Sequence, residues 1–126
     1  MGLPSRDRFD GDTTRLPSDV VSVPGLIASL RGPWRPMDVV RVNDAIVRVA
    51  RLEGEFVWHS HQEDEFFLCW EGEFRIELAD RPPVTLRPGD VFVVPRGARH
   101  RPVAEGTAHA VLLERPETKQ YGNDGS

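Results

Sequence analysis

The sequence predicts an all-β sandwich or barrel, and three observations carry that reading. From about residue 39 onward the chain breaks into many short, β-branched, alternating segments separated by Gly and Pro turns. Its 126 residues, 39% of them hydrophobic, match one domain with a modest core. No internal repeat is visible, so the pattern describes one barrel and not two.

The elements follow in order. Residues 1–20 are polar and rich in Pro and Asp, and are read as an extended N-terminal segment. Residues 21–36 form a short helical segment that packs on the barrel. Ser22 caps the helix, Pro24 lies in its first turn, and it runs towards Leu30 before Gly32 and Pro33 end it. The barrel is expected over residues 37–117. Its strands are expected at 39–42 and 45–52, with a turn at Asn43 and Asp44, then at 56–61 and 65–70. A turn at Glu71 and Gly72 leads to a strand at 74–79. Residues 80–83 read as a loop before a short strand at 84–86. A turn at 88–90 precedes a buried strand at 91–94. Pro95 and Gly97 turn the chain again before strands at 100–103 and 107–114, with a turn at Glu105 and Gly106 between them. Residues 118–126 are a polar C-terminal tail.

Three of the four histidines concentrate in one pattern: His59 and His61, followed later by His100. Side chains two apart on a strand share a face, so His59 and His61 project together, roughly 7 Å apart along the strand. Glu65 has the same parity, and so does Glu63, so alternation alone does not choose between these carboxylates. Asp64 faces away. Imidazoles with a carboxylate suit Zn, Fe, Mn, Ni or Cu, whereas Ca and Mg prefer oxygen shells. A His-x-His pair alone is a weak signal, since most strand histidines are surface or core residues. The ordered pattern is more specific: Gly54, His59, His61, Glu65 and Gly72, then Gly89, Pro95, Gly97 and His100.

That pattern resembles the two motifs of the cupin superfamily, over roughly residues 40–116. The Gly54-to-His59 gap is one residue shorter than the commonest form. Ala104 stands where an Asn is usual, four residues after the final histidine. The resemblance implies a cupin-type double-stranded β-helix, a jelly-roll barrel with the short N-terminal helix added. It also implies that Glu65, not Glu63, joins His59, His61 and His100 as the ligands of one divalent transition metal per chain, Fe, Mn, Ni, Cu or Zn. Four such ligands on a six-coordinate metal leave two positions for substrate. Ser60, Gln62 and Glu63 are the candidates for hydrogen bonds that orient the ligands.

The function expected from this set is a metal-dependent small-molecule enzyme, dioxygenase-like or isomerase/lyase-like. A non-catalytic ligand-binding or sensing module is the alternative. His109 and Glu63 are the weaker catalytic candidates. Phe67 and Cys69 continue the parity of Glu65 into the cavity, where Cys69 reads more readily as a small apolar filler than as a ligand. Arg48, Arg51, Arg75 and Arg99 are the cations available for an anionic substrate, although each reads more readily as a surface charge.

Net charge is −4, which gives no basic footprint for nucleic acid. Mean hydropathy is −0.40, and no run of about 18 apolar residues suggests a membrane partner. The N-terminus lacks the apolar stretch of a signal peptide, so a cytoplasmic location is expected. The single cysteine, Cys69, excludes an internal disulfide. Phe66, Leu68, Trp70 and the 91–94 strand leave apolar side chains on the barrel exterior. Either the N-terminal helix covers them or a second copy does, and the resemblance favours a homodimer.

Overall fold

The computed structural model describes residues 20–116. The assigned 1–20 segment and 118–126 tail therefore lie, but for Val20, outside the described residues. One helix, α1 (Val23–Ala28), precedes seven strands: β1 (Met37–Val42), β2 (Ala45–Glu55), β3 (Glu65–Glu71), β4 (Phe74–Leu78), β5 (Arg81–Leu86), β6 (Val91–Val94) and β7 (His100–Glu114). The seven strands pair antiparallel, in the order β1-β2-β7-β3-β6, with β4 bridging β7 and β5.

β7 organises the molecule. One edge pairs with β2 along almost its whole length. The other edge pairs first with β4, through residues 100–103, and then with β3, through residues 109–113. The expected turn at Glu105 and Gly106 does not form, because β7 runs unbroken from His100 to Glu114. The register shifts there, since Glu53 pairs with Thr107 and Gly54 with Ala104, so Glu105 and Gly106 bulge from β7 opposite Gly54, whose φ is +78°. The expected turn is thus a bulge in a strand that continues on either side, and its two residues are exposed, where water can serve their backbone groups.

Two more expectations change. Residues 56–61 are not a strand; a bridge between His59 and His100 and the Phe56 N–H bond to the Pro102 carbonyl tie them to β7. The loop expected at 80–83 is already strand, because β5 begins at Arg81. β5 pairs with β4 alone, so an edge position accommodates Pro82 and Pro83 at a register irregularity.

Helix α1 is shorter than expected. Ser22 caps it as read, its hydroxyl accepting from the Gly25 amide at 3.1 Å. Ser29 ends it, its Oγ donating to the Leu26 carbonyl, so the helix stops before Leu30. Ile27 of the helix and Leu30 just beyond it pack against Val39 and Val49 of β1 and β2. Phe66, Leu68 and Trp70 are not part of this cluster. The main core fills the barrel with Leu52, Phe67, Cys69, Phe74, Ile76 and Leu86, among others.

β6 is less buried than expected: Val94 points inward, but Val91 and Val93 are 56% and 47% exposed. Among the described residues, no helix is long and apolar enough to cross a membrane.

Candidate metal centre

The ligand loop is sewn to the start of β7. His59 and His100 exchange backbone hydrogen bonds at 2.9 and 2.8 Å, Phe56 N–H donates to the Pro102 carbonyl, and Gly97 N–H donates to the His61 carbonyl at 2.7 Å. Gly97 has a φ of +83°, where glycine is at ease, and lets the chain reverse before His100. The arrangement does the work that a regular strand was expected to do. It gathers the rings of His59, His61 and His100 with centroids 4.4 to 5.7 Å apart.

Glu65, the first residue of β3, completes the group. One potential ligand atom from each of His59, His61, Glu65 and His100 lies within 4.8 Å of the others, and all four residues are buried. Oε1 of Glu65 is 3.4 Å from Nε2 of both His61 and His100. Metal–ligand bonds of about 2.0–2.2 Å place ligand atoms about 3–4 Å apart, so this spacing fits a transition metal. Three of the atoms aimed inward, Nε2 of His61, Nε2 of His100 and Oε1 of Glu65, are buried without a hydrogen-bond partner. Orphaned buried polar atoms are costly, and a shared cation would satisfy all three. Imidazole nitrogen with one carboxylate is also the donor set that such metals take.

Tautomers are set by the backbone. Nδ1 of His59 meets the Val57 carbonyl and Nδ1 of His100 meets the Ala98 carbonyl, each at 2.9 Å. An acceptor at Nδ1 requires the N–H there and leaves the Nε2 lone pair free. The orienting groups are thus main-chain carbonyls, not the expected Ser60, Gln62 or Glu63. Burial lowers His59 to about 4, aided by the neighbouring His100 and His61, so this imidazole is neutral near pH 7.

A cavity of about 70 Å³ reaches His59 and Glu65. Its walls are largely apolar, with Leu52, Phe56, Phe67, Pro102 and Leu112 joined by Trp34. Trp34 stacks on Phe56 with ring centroids 4.7 Å apart, and its Nε1 donates to the Glu53 carbonyl. Its φ of +62° is uncommon for a bulky residue, and a second bond, from its own N–H to the Arg51 carbonyl, holds it there.

The polar end of the cavity is Arg48 and Glu114. Arg48 donates from Nε to Asp38 at 2.9 Å, from an Nη to Oε2 of Glu114, and from the other Nη to the Pro116 carbonyl. The carboxyls of Glu65 and Glu114 lie side by side on the inner face, next to the Phe66–Leu113 pair of β3 and β7. Burial raises Glu114, and the adjacent Glu65 raises it further. Burial acts the same way on Glu65, but the His100 and His61 imidazoles 3.4 Å from its Oε1, together with Glu114, outweigh it and hold Glu65 well below the usual carboxylate range.

The remaining candidates sit elsewhere. Glu63 borders an outer groove with Gln62 and Asp64, outside the four-residue cluster. His109 pairs with Glu71 at 2.9 Å and does not line the cavity. Cys69 is fully buried in the core, with Sγ 3.3 Å from the Gly72 carbonyl, and burial raises its thiol. Phe67 is a cavity wall, as its parity predicts. Arg75 joins surface ion pairs with Glu77 and Glu105. Glu114 escaped the sequence reading, although the inward series Ala108, Ala110, Leu112, Glu114 places a carboxylate where apolar residues are expected.

An antiparallel barrel holding an inward His₃Glu cluster at one end of an apolar cavity defines a class of small metal-site jelly rolls. The cupin domain family model matches residues 45–114, and the chain belongs to that family. An uncharacterized protein of Bacillus subtilis, YdbB, is 39% identical over 64 residues, which is 50% of this chain and 57% of that protein. The chain thus spans little more than half the length of that curated relative. A cupin-2 domain containing protein from Shewanella frigidimarina is 31% identical, with TM-score 0.73, covering 76% of this chain and 94% of its own. Protein NMB1881 from Neisseria meningitidis is 27% identical, with TM-score 0.71, covering 77% of this chain and 99% of its own.

Proposed function

We propose that this protein is a metal-dependent small-molecule enzyme, with one divalent transition metal held by His59, His61, Glu65 and His100. The observation that carries the proposal is the set of orphaned, buried ligand atoms beside a largely apolar cavity. Structural metal sites are closed by their ligands, whereas a site open to a cavity has room for a reactant. The reaction favoured is dioxygenase-like, with Fe or Mn as the metal; isomerase or lyase chemistry is the other enzymatic outcome. When bound, the metal supplies Lewis-acid polarisation and positions for an oxygen donor of the substrate.

The chain's own residues define the substrate's shape. Trp34, Phe56 and Phe67 offer flat apolar walls. A cavity of about 70 Å³ is under half the size of one that holds benzene, so the substrate is small or extends through the mouth. A small molecule with an apolar body and an oxygen donor at one end fits. The neutral His59 and the ionised Glu65 need give up no proton to a metal near pH 7.

Elemental analysis of tag-free protein is the test. Near-stoichiometric Fe or Mn, with oxygen uptake on a small apolar substrate, supports the proposal. Zn directs the search to isomerase and lyase substrates. Tight ligand binding without turnover selects the binding-module alternative, and failure to bind any of Fe, Mn, Ni, Cu or Zn sinks the metal-dependent reading.

A homodimer belongs to the same proposal. Val91, Val93 and Leu113 are exposed and converge on the outer face around Phe66, which pairs with both Val93 and Leu113. α1 packs elsewhere, so a second copy is the cover proposed for this face. The proposed location is the cytoplasm, in keeping with a buried free thiol.

A further inference from the structure

The metal-ligand carboxylate is built against a second carboxylate, and that juxtaposition is expensive unless it has a purpose. Phe66 of β3 pairs with Leu113 of β7, so the next step along the ladder sets Glu65 beside Glu114 on the inner face. Like-charged residues opposite each other on a sheet are destabilising. Both residues are more than nine-tenths buried, which rules out relief by solvent.

The surroundings of Glu114 are arranged around this contact. Oε2 of Glu114 is taken by Arg48, which is itself fixed by Asp38 and by the Pro116 carbonyl. Arg48 reaches it because β2 pairs Arg48 with Leu112, two residues before Glu114 on the same face. Oε1 of Glu114 is buried and faces no conventional donor. Glu65 lies beside it across the ladder, with its own Oε1 3.4 Å from Nε2 of both His61 and His100.

We infer that Glu114, anchored by Arg48, is a positioning residue for the metal ligand Glu65: it holds one oxygen of that carboxylate so that the other faces the three imidazoles. This rests on the metal-centre reading above. It assigns a line of four side chains, Asp38, Arg48, Glu114 and Glu65, running from the half-buried exterior of β1 to the metal position. His59 and His100 are oriented by main-chain carbonyls; Glu65 begins its strand and takes its orientation from β7 instead.

Metal-free full-length protein is titrated with Co²⁺, whose visible spectrum reports the ligand geometry. Glu114→Gln keeps both contacts, since its amide N–H donates to Glu65 and its carbonyl accepts from Arg48. It is expected to bind Co²⁺ within a few-fold of the unsubstituted protein, with the same spectrum. Glu114→Ala is expected to weaken Co²⁺ binding about 10- to 100-fold and to alter the spectrum. Glu114→Asp, one methylene short of Glu65, is expected to do the same in milder degree, and it answers the question if the Ala variant does not fold. Thermal melting of the metal-free variants separates a folding defect from a site defect. Unchanged affinity and spectrum in Glu114→Asp, or a lowered melting temperature in Glu114→Ala with Co²⁺ binding intact, would overturn the inference while leaving the metal centre standing. Absence of Co²⁺ binding by the unsubstituted protein would remove the metal-centre reading and this inference together.

Discussion

At the scale of residues, the site is a small number of buried polar atoms whose geometry leaves little choice of partner. His61→Ala and Glu65→Ala each remove one donor and leave the others unsatisfied, so both variants should purify with metal content near zero while the unsubstituted protein carries it. Full occupancy in either, measured by elemental analysis, would contradict the assignment. The same residues set an unusual pH dependence in the metal-free protein. His59 is lowered to about 4 by burial, against 6.5 when unfolded, so between those values the unfolded chain binds more protons and stability rises with pH. Glu114 acts in the opposite sense. Its carboxyl is raised by burial beside Glu65, so above its unfolded value of 4.5 the folded state holds the extra proton and stability falls as pH rises. The two oppose each other up to 6.5, and above that only the Glu114 contribution remains. The metal-free protein should therefore melt at a lower temperature at about pH 8.5 than at pH 6.5, and Glu114→Gln should flatten that slope. A melting temperature that climbs across this interval would refute the account of Glu114.

At the scale of elements, β7 and the β3–β4 turn depend on each other. Gly72 sits in that turn with a φ of +78°, and a Cβ there would lie 2.5 Å from the Thr107 carbonyl oxygen and 2.9 Å from the Ala108 Cα. Both are backbone atoms of the central strand, so neither can swing aside. Gly72→Ala should cost at least about 2 kcal/mol in urea denaturation, combining the strained backbone with the overlap. Gly89→Ala is the contrast: its φ is +94°, but a Cβ meets nothing within 4 Å, so the cost should be only that of the backbone conformation, about 1 kcal/mol. Equal losses in the two variants would show that the close approach to β7 carries no weight. Local reading found both turns, because glycine marks a turn in sequence. It gave no hint that Gly72 touches β7, which is more than thirty positions away.

At the scale of the whole molecule, metal binding and assembly are the two measurable consequences. A ligand that binds the folded state alone stabilises it by mass action, about 2.7 kcal/mol at a hundred times its Kd. Addition of the native metal should raise the melting temperature accordingly, and a chelator should reverse the rise; a melting temperature indifferent to both would speak against a folded-state metal site. Light scattering should give twice the 14.2 kDa chain mass, and Val93→Glu should return it to a single chain. A monomeric mass for the unsubstituted protein would show that the face around Val91, Val93 and Leu113 is covered from within the chain or left open.

By itself the sequence determined the all-β class, the cap at Ser22, most strand positions, and the residues His59, His61, Glu65 and His100 that the fold gathers. These are legible because strand alternation, capping chemistry and turn glycines act over a few residues, and because the motif spacing is itself local. Tertiary structure decided the rest. Residues 56–61 became a bridged loop and Glu105 and Gly106 a bulge within β7, since pairing of the flanking segments across the sheet satisfies the backbone groups on either side. The meeting of His59, His61 and Glu65 with His100, and the line from Asp38 through Arg48 and Glu114 to Glu65, join residues far apart in the chain. The last exists only once β1, β2, β3 and β7 lie side by side, and no periodicity along one segment encodes it.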